Sequence, residues 1–284
     1  MRKRVLSLIL TITLLLSVLP VVPAQAAQND KPFPFKDVAK DKWYFDDVNF
    51  VFQNELMNGI SDSAFSPAAK VTRAQAVTVL WRIAGCPSET DIIPFKDVLV
   101  GSWYYDAVKW AVKRNITRGV ASRIFAPNSW LTREQFVTLL LRFAKVQRYV
   151  SVSETWVFPG GKFWDHAFIS NYAVEPFAWA TCCNIIQGVK CNSYFYTTQD
   201  GATHLLDFRT SGMTQTSLYA IKPEVPCSRA EFASMIARLC KTYRVSHNVG
   251  RMDTQFLSGH CDCIADSDFS FYWMPDAEME EPVL

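Results

Sequence analysis

Three arginines occupy positions where a helix disfavours a cation. Residues 71–82 read VTRAQAVTVLWR, residues 131–142 read LTREQFVTLLLR and residues 227–232 read CSRAEF. In each segment a Thr or Ser precedes a Gln or Glu by three residues, which is the pattern of a capping box at a helix start. The arginine then lies in the first turn, at the positive end of the helix dipole, where a cation costs up to about 1 kcal/mol. The arginines are Arg73, Arg133 and Arg229, and their cap residues are Thr72, Thr132 and Ser228.

A helix start that carries an additional guanidinium suits an anionic ligand. The unpaired N–H groups and the dipole of a helix N-terminus attract negative charge, and a planar guanidinium grips a carboxylate with two parallel hydrogen bonds. We therefore predict that these arginines bind a carboxylate-bearing ligand. One alternative stays open, that the arginines are structural and pair with acidic residues of a neighbouring segment.

The chain repeats itself with a period of 60 residues. Residues 35–38 and 95–98 both read FKDV, and the two TRxQ boxes coincide at the same offset. A fixed period indicates a repeated supersecondary unit that cannot bury its apolar face alone. The spacing predicts a first helix over 103–118 with a glycine C-cap at Gly119, then a loop containing Phe-x-Pro, then a largely buried second helix.

A third copy is recognisable but altered. FWDH at 163–166 stands where FKDV is expected, Tyr172 replaces the tryptophan that opens the first helix, and Gly188 corresponds to Gly119. The loop before Ser228 is much longer than in the other copies and is expected to hold a short β-hairpin. The predicted divisions are a signal peptide at 1–26, units 1, 2 and 3 at 33–86, 93–147 and 162–241, an insertion in unit 3 at about 192–226, and an irregular, Cys-containing tail at 242–284.

The motif order Phe-x-Asp-Val, Trp, Gly, Phe-x-Pro and Thr-Arg-Ala-Glu resembles the S-layer homology (SLH) module. The resemblance covers roughly residues 33–240 and is strongest in units 1 and 2. It implies a mainly α fold in which three helix-loop-helix repeats form a pseudo-threefold bundle with grooves between neighbouring units. It also implies that these grooves hold secondary cell wall polysaccharide, often bearing a pyruvate ketal, and so anchor the protein to the cell surface.

The resemblance assigns glycan-binding residues by position. They are Arg73, Arg133 and Arg229, with Thr72, Thr132, Ser228, Trp43, Trp103, Gly59 and Gly119 nearby. Two departures from the family pattern matter. Gln75 and Gln135 stand where the family has Glu, and the third site is in doubt because unit 3 lacks the tryptophan and carries the insertion.

The first residues predict export. MRKR is followed by the apolar run VLSLILTITLLLSVLP and then by an AQA cleavage pattern, so the mature chain should begin near Ala27. A retained anchor helix is the alternative. Removing the three leader cations takes the formal charge from +2 to −1, which gives no basis for nucleic acid binding. No contact with the membrane is expected after cleavage.

Seven of the eight cysteines lie beyond residue 180, so an exported chain is expected to form at least one disulfide within the region from Cys182 to Cys263, with Cys86 free. The sequence does not determine which cysteines pair. His247 and the HCDC segment at 260–263 contain zinc-type ligands, but their spacing fits no common zinc module, and no metal site is predicted. No cofactor is expected.

Other candidate residues have two interpretations each. Trp43 and Trp103 either stack on sugar rings or pack in the core, and Asp37 and Asp97 are expected to cap turns rather than contact ligand. The adjacent Asp46 and Asp47 point in different directions on a helix and are not predicted to be catalytic.

The sequence therefore predicts a secreted, non-catalytic module that binds anionic secondary cell wall polysaccharide at the cell wall or S-layer. Other surface proteins are additional candidate partners. The alternative is an extracellular enzyme or protein-binding adaptor whose active part is the unit 3 insertion plus the Cys-rich tail, with units 1 and 2 as its anchor.

Overall fold

The computed structural model describes residues 31–90, 92–151, 156–158, 163, 165–190, 195–197, 203–205 and 219–243. The chain divides into two compact units, Met1–Pro32 and Phe33–Leu284. The predicted signal peptide, most of the insertion and the tail beyond Tyr243 lie outside the described residues. Within the described residues, no helix combines the length and the apolar character needed to cross a membrane.

The described part of the chain is mainly helical, as predicted. Its six α-helices are α1 (Phe45–Gln53), α2 (Arg73–Ile83), α3 (Tyr105–Lys113), α4 (Arg133–Val146), α5 (Val174–Cys182) and α6 (Arg229–Thr242). Short 3₁₀ helices cover His166–Phe168 and Asn171–Ala173. The strands are β1 (Val189–Lys190), β2 (Phe195–Thr197), β3 (Thr203–Leu205) and β4 (Tyr219–Ala220).

The hairpin expected in the insertion is present as the antiparallel pair β2 and β3, with Phe195 opposite Leu205. A second antiparallel pair joins β1 to β4, with Val189 opposite Ala220. This second pair joins residues just before the insertion to residues near its end.

All three predicted capping boxes are formed. Thr72 Oγ1 accepts from the backbone N–H of Gln75 at 3.3 Å, and Gln75 Oε1 accepts from the N–H of Thr72 at 3.0 Å. The boxes at Thr132 and Ser228 have the same reciprocal pattern. The second helices therefore begin where the sequence predicted, because a box needs only residues three apart along the chain.

The first helices are shorter than predicted. α3 ends at Lys113 rather than near residue 118, and Asn115 takes the left-handed conformation with φ 55°. The N–H of Ile116 donates to the carbonyl of Ala111 at 2.8 Å and the N–H of Asn115 to that of Val112 at 2.9 Å, which is a Schellman motif. The predicted glycine C-cap is therefore wrong, and Gly119 has another role.

Gly119 lies against a phenylalanine ring. A Cβ atom built on it would stand 2.6 Å from Phe95 Cε1 and 2.5 Å from the carbonyl oxygen of Ile124. Gly59 and Gly188 meet Phe35 and Phe163 in the same way, each with a ring carbon 2.5 Å from the built Cβ. Each unit thus has a phenylalanine ring that packs directly against the backbone of a glycine. Any residue with a Cβ atom at that position would overlap the ring.

The helices pair between units rather than within them. α2 of unit 1 packs against α3 of unit 2, α4 of unit 2 packs against α5 of unit 3, and α6 of unit 3 packs against α1 of unit 1. These contacts close into a ring with three junctions, which we name junctions 1–2, 2–3 and 3–1. The pattern matches the expectation that one unit cannot bury its apolar face alone.

The centre of the ring is a triangle of backbone hydrogen bonds. The N–H of Val71 donates to the carbonyl of Cys227, that of Cys227 to Leu131, and that of Leu131 to Val71, at 3.0, 2.9 and 2.9 Å. All three side chains are fully buried. These residues immediately precede the capping boxes, so the triangle brings the three helix starts together.

Candidate functional site at the unit junctions

Each of the three arginines crosses a junction to one loop of the next unit, which reads Phe-x-Pro in units 1 and 2 and Ile-Lys-Pro in unit 3. Arg73 Nε donates to the carbonyl of Phe125 at 2.9 Å, and its guanidinium lies 5.0 Å from the centre of that ring. Arg229 makes the same two contacts with Phe65, at 2.7 and 4.4 Å. Arg133 Nε donates to the carbonyl of Ile221, the unit 3 counterpart, at 2.7 Å. The sites predicted from one sequence motif are therefore shared between two units.

These arginines are buried, with 1%, 3% and 6% of Arg73, Arg133 and Arg229 exposed. A buried charge costs free energy unless it has polar partners. The Nε bond, with a ring face added at Arg73 and Arg229, satisfies only part of each guanidinium, so the remaining nitrogens decide what each junction can bind.

The helix N–H groups are not available to a ligand. The N–H of Arg73 donates to the carbonyl of Ser129 and that of Ala74 to Pro127, both at 3.0 Å. Loop carbonyls of the next unit occupy the first two N–H groups of α4 and α6 in the same way. The prediction that free N–H groups form the anion site is therefore wrong, because the ring of units uses them, and an anion must be held by side chains.

Junction 1–2 leaves part of its guanidinium unpaired. Arg73 Nη2 lies 3.5 Å from Thr117 Oγ1, which also accepts from the N–H of Gly119 at 3.4 Å. Arg73 Nη1 is buried, and no described residue accepts a hydrogen bond from it. Burial lowers the pKa of Arg73 to about 10, although the charge of Asp97 opposes this shift. The arginine stays protonated at neutral pH, so the junction holds a positive charge with a spare donor.

Junction 3–1 satisfies its arginine with backbone oxygens. Arg229 Nη2 donates to the carbonyl of Asn58 at 2.7 Å, next to Gly59. Burial lowers the pKa of Arg229, and the charge of Asp37 acts in the opposite direction. Within the described residues, no carboxylate forms an ion pair with this guanidinium.

Junction 2–3 differs because it contains its own carboxylates. Arg133 Nη1 pairs with Glu231 Oε1 at 3.0 Å. Burial opposes ionisation of Glu231, but the charge of Arg133 and the hydrogen bonds from Ser228 outweigh it, so the pKa of Glu231 is lowered. Arg133 therefore fits the structural alternative, in which the arginine pairs with an acidic residue across a unit boundary.

A second carboxylate, Glu134, is buried at the same junction. It accepts from the hydroxyl of Tyr172 at 2.8 Å and from the N–H of Ser170 at 3.3 Å. Sequence reasoning named Glu231 only as a capping-box residue and did not single out Glu134. Their signal is present nonetheless, since Glu134 aligns with Ala74 and Ala230, and Glu231 aligns with Gln75 and Gln135.

Trp43 and Trp103 are not core residues. They are 63% and 62% exposed, and each makes an edge-on contact with the tyrosine that follows it. The packing interpretation is therefore wrong, and both rings present a free surface of the kind that stacks on sugars. The described contacts do not include one between either ring and an arginine.

Trp130 is a further exposed aromatic that sequence reasoning missed. It is 59% exposed, and its backbone forms an isolated antiparallel bridge with Thr72. The ring therefore belongs to the edge of junction 1–2. The sequence indicated this position, because Trp130 directly precedes the LTRE segment that starts the second helix of unit 2.

The aspartates of the FxD segments are turn caps, as predicted. Asp97 Oδ1 accepts from the N–H of Phe125 at 2.9 Å and Oδ2 from that of Ala126 at 2.7 Å. Asp37 and Asp165 hold the corresponding loops of units 1 and 3. Each aspartate thus positions the carbonyl that an arginine of the previous unit binds.

Cysteine and metal predictions fall mainly outside the described residues. Cys191, Cys261, Cys263, His247 and His260 are among the residues not described. Cys86 is an exposed free thiol, and Cys227 and Cys240 are buried free thiols. Burial raises the pKa of Cys240 to about 12. The described residues contain no group of three or more potential metal ligands, and the disulfide stays a prediction.

Units 1 and 2 match the family model of the S-layer homology domain. The matched residues are 34–77 and 94–137, which include Arg73 and Arg133 together with their caps. Unit 3 lies outside the matched residues.

Among similar proteins, an endoglucanase of Bacillus sp. (strain KSM-635) is 31% identical over 68% of this chain and 20% of its own length. The surface-layer 125 kDa protein of Lysinibacillus sphaericus is 25% identical over 70% of this chain and 14% of its own. The S-layer protein sap of Bacillus anthracis is 29% identical over 46% of this chain and 16% of its own. The chain thus spans a fifth or less of these relatives. The SLH matches and the surface-layer relatives place this protein at the cell wall or cell surface.

Proposed function

We propose that this protein attaches itself to the bacterial cell surface by binding an anionic secondary cell wall polysaccharide without catalysis. The observation that carries the proposal is the buried guanidinium of Arg73, which among the described residues has an unpaired donor and no carboxylate partner. A carboxylate of the glycan, such as that of a pyruvate ketal, has the charge and the shape to complete it.

The glycan site is assembled from two units at a time. An arginine and its cap come from one unit, and the glycine-containing turn and the Phe-x-Pro loop come from the next. The exposed faces of Trp43 and Trp103 add surfaces on which a sugar ring can stack. The proposed residues are those that the sequence predicted, with the arginines as charge partners and the tryptophans as stacking platforms.

We further propose that residues 162–241 form a third, altered SLH unit interrupted by the insertion at about 192–226, following units at 33–86 and 93–147. Its support is a repeated set of contacts. Ser228 forms a capping box, Asp165 binds the loop at Ile221, and Gly188 packs on Phe163. The enzyme or adaptor alternative rests on the insertion and the tail, which lie largely outside the described residues.

The test is co-sedimentation of the full exported chain with purified Gram-positive cell walls, before and after extraction of the secondary polysaccharide. The protein should pellet with native walls and stay soluble with extracted walls. Retention on peptidoglycan stripped of that polymer would contradict the ligand assignment.

Replacing both Arg73 and Arg133 with lysine keeps the charge and removes the planar fork. A carboxylate held by two parallel bonds should then lose about 1 to 3 kcal/mol of binding free energy, the scale of a charged hydrogen bond. Isotherms of the same sedimentation assay measure this loss. Unchanged binding with a lowered melting temperature would show that the arginines are structural.

A further inference from the structure

The described cysteines of unit 3 differ in how accessible their thiols are. Cys227 and Cys240 are free thiols in the core, with 0% and 2% of each residue exposed. Burial raises the pKa of both thiols, so neither readily supplies the thiolate from which a disulfide forms. They also lie near opposite ends of α6, which keeps their Cα atoms more than about 15 Å apart, and bridged cysteines need less than about 7 Å. Both are therefore unsuited to disulfide formation.

Cys182 and Cys183 are adjacent at the end of α5, and both are half-buried. The thiol of Cys182 donates to the carbonyl of Val157, with 3.9 Å between sulfur and oxygen. Cys183 Sγ instead lies 3.6 Å from the hydroxyl oxygen of Tyr243. The two neighbouring thiols therefore face different parts of the molecule, and Cys183 faces the residue at which the tail (242–284) leaves α6.

The start of the tail is held in place by aromatic contacts. The Tyr243 ring stacks on Tyr149, with 5.2 Å between ring centres and 17° between ring planes. Its hydroxyl also accepts from Nε1 of the fully buried Trp179 at 3.1 Å. The tail cysteines follow 18 and 20 residues later, at Cys261 and Cys263. Because a shorter loop costs less entropy to close, a loop that starts in contact with Cys183 closes readily on that thiol.

We propose that a disulfide joins Cys183 to a tail cysteine, Cys261 or Cys263, and attaches the tail covalently to unit 3. The location at the cell surface suits this bond, because disulfides persist in oxidising extracellular surroundings. One S–S bond forms as two S–H bonds break, which releases two protons and two electrons. A disulfide-bearing oxidoreductase of the cell envelope accepts both electrons and is reduced to its dithiol.

The bond would attach two distinctive segments to the ring of units. Beyond Cys263 the tail contains the aromatic run FSFYWMP at 269–275 and the acidic run AEMEEP at 277–282. With the bond in place, these segments are presented from unit 3 at a fixed distance along the chain. The inference is independent of the proposed function, because the bond involves neither the arginines nor the glycan.

The experiment is a tryptic peptide map of the full chain, secreted by a Gram-positive host and digested without reduction after its thiols are blocked with N-ethylmaleimide. Cleavage after Lys and Arg separates the cysteines of interest. Cys182 and Cys183 fall in peptide 163–190, Cys191 in 191–209, and Cys261 and Cys263 in 252–284. We expect peptide 163–190 to be linked to peptide 252–284 and both to be released by dithiothreitol.

C183S and C182S are a matched pair, because each replaces one of two adjacent, half-buried thiols with a hydroxyl of similar size. We expect complete loss of the linked peptide in C183S and its retention in C182S. Circular dichroism on both variants verifies folding. If C183S fails to fold, fragmentation of the linked peptide from the parent between residues 182 and 183 locates the bond without any substitution.

Several results would overturn the inference. They are a link from 252–284 to the Cys191 peptide or to the Cys86 peptide at 83–96, a bond between Cys261 and Cys263, and a chain whose eight thiols all react with N-ethylmaleimide. A linked peptide that persists in C183S and disappears in C182S would overturn the assignment to Cys183. The map uses no cell wall, so its outcome leaves the test of the proposed function unaffected.

Discussion

The loop supports and the arginine junctions of this molecule follow opposite patterns. In every unit an aspartate binds two loop N–H groups and a phenylalanine packs on a glycine, with nearly identical distances. At the junctions the three arginines bind equivalent loop carbonyls, yet within the part of the chain that the structure describes Arg133 has a carboxylate partner and Arg73 has none. The comparison shows that repeated units can keep the same backbone geometry while the charged side chains around the equivalent arginine differ from one junction to the next.

The loop supports tolerate little change because they hold strained backbone. The residue after each loop phenylalanine or isoleucine has positive φ without being glycine, a conformation that costs free energy for an L-residue. These residues are Ser66, Ala126 and Lys222, with φ of 59°, 57° and 51°. The aspartate accepts a hydrogen bond from the backbone N–H of each of these residues and so stabilises its conformation. The junction side chains do not depend on a strained backbone in this way.

The largest loss of stability is expected for G119A, which disrupts the loop support of unit 2. Gly119 has φ +88°, and a Cβ there would stand 2.6 Å from Phe95 Cε1 and 2.5 Å from a backbone oxygen. We expect the free energy of unfolding to fall by about 3 to 5 kcal/mol, since conformational strain and overpacking add. Urea denaturation measures the change.

G101A is the matched control for that substitution. Gly101 has nearly the same φ, +85°, but its Cβ would meet nothing within 4 Å. Only the backbone strain remains, which is about 1 kcal/mol. Equal losses in the two variants would show that the phenylalanine contact contributes nothing.

D97A is expected to have the next largest effect. It removes the acceptor of the N–H groups of Phe125 and Ala126, and we expect about 2 to 3 kcal/mol less stability. D106A is the control, because Asp106 is exposed and its only ion pair among the described residues is with Lys109 on the same helix. That exposed pair should contribute less than about 0.5 kcal/mol. Similar melting temperatures for D97A and D106A would refute the role of the aspartate.

The smallest expected effect concerns the ion pair of junction 2–3 and its pH dependence. The folded pKa of Glu231 is lowered, so its contribution to stability is present above the unfolded value of about 4.3 and is lost as the pH falls through the folded value. E231Q keeps the capping box and should be about 1 kcal/mol less stable than the parent at pH 7. The difference should shrink on acidification, which thermal melts from pH 7 to pH 3 measure.

A matched control for this pH series is E175Q. Glu175 pairs with Lys145 at 2.7 Å but is half exposed, so its removal should change stability by less than about 0.5 kcal/mol at any pH. A constant difference between the parent and E231Q from pH 7 to pH 3 would contradict the ion pair as its source.

Local features of this protein were predictable from sequence because they depend on residues close along the chain. The capping boxes at Thr72, Thr132 and Ser228 join residues three apart and appeared as expected. The end of α3 was misplaced because the left-handed residue is Asn115, which carries a weaker signal than glycine. The Trp43 and Trp103 packing interpretation was wrong because a helical pattern does not show which neighbour covers the helix.

The sequence by itself determined the repeat, the helix starts and the positions of the three arginines, since each follows from short-range spacing. Only the tertiary structure decided which unit each arginine meets, because that depends on the ring of backbone bonds through Val71, Leu131 and Cys227. It also decided that Glu231 neutralises Arg133 while Arg73 keeps a spare donor. Arg133 and Glu231 are 98 positions apart and pair only because the ring closes. The net charge at this junction therefore depends on that closure.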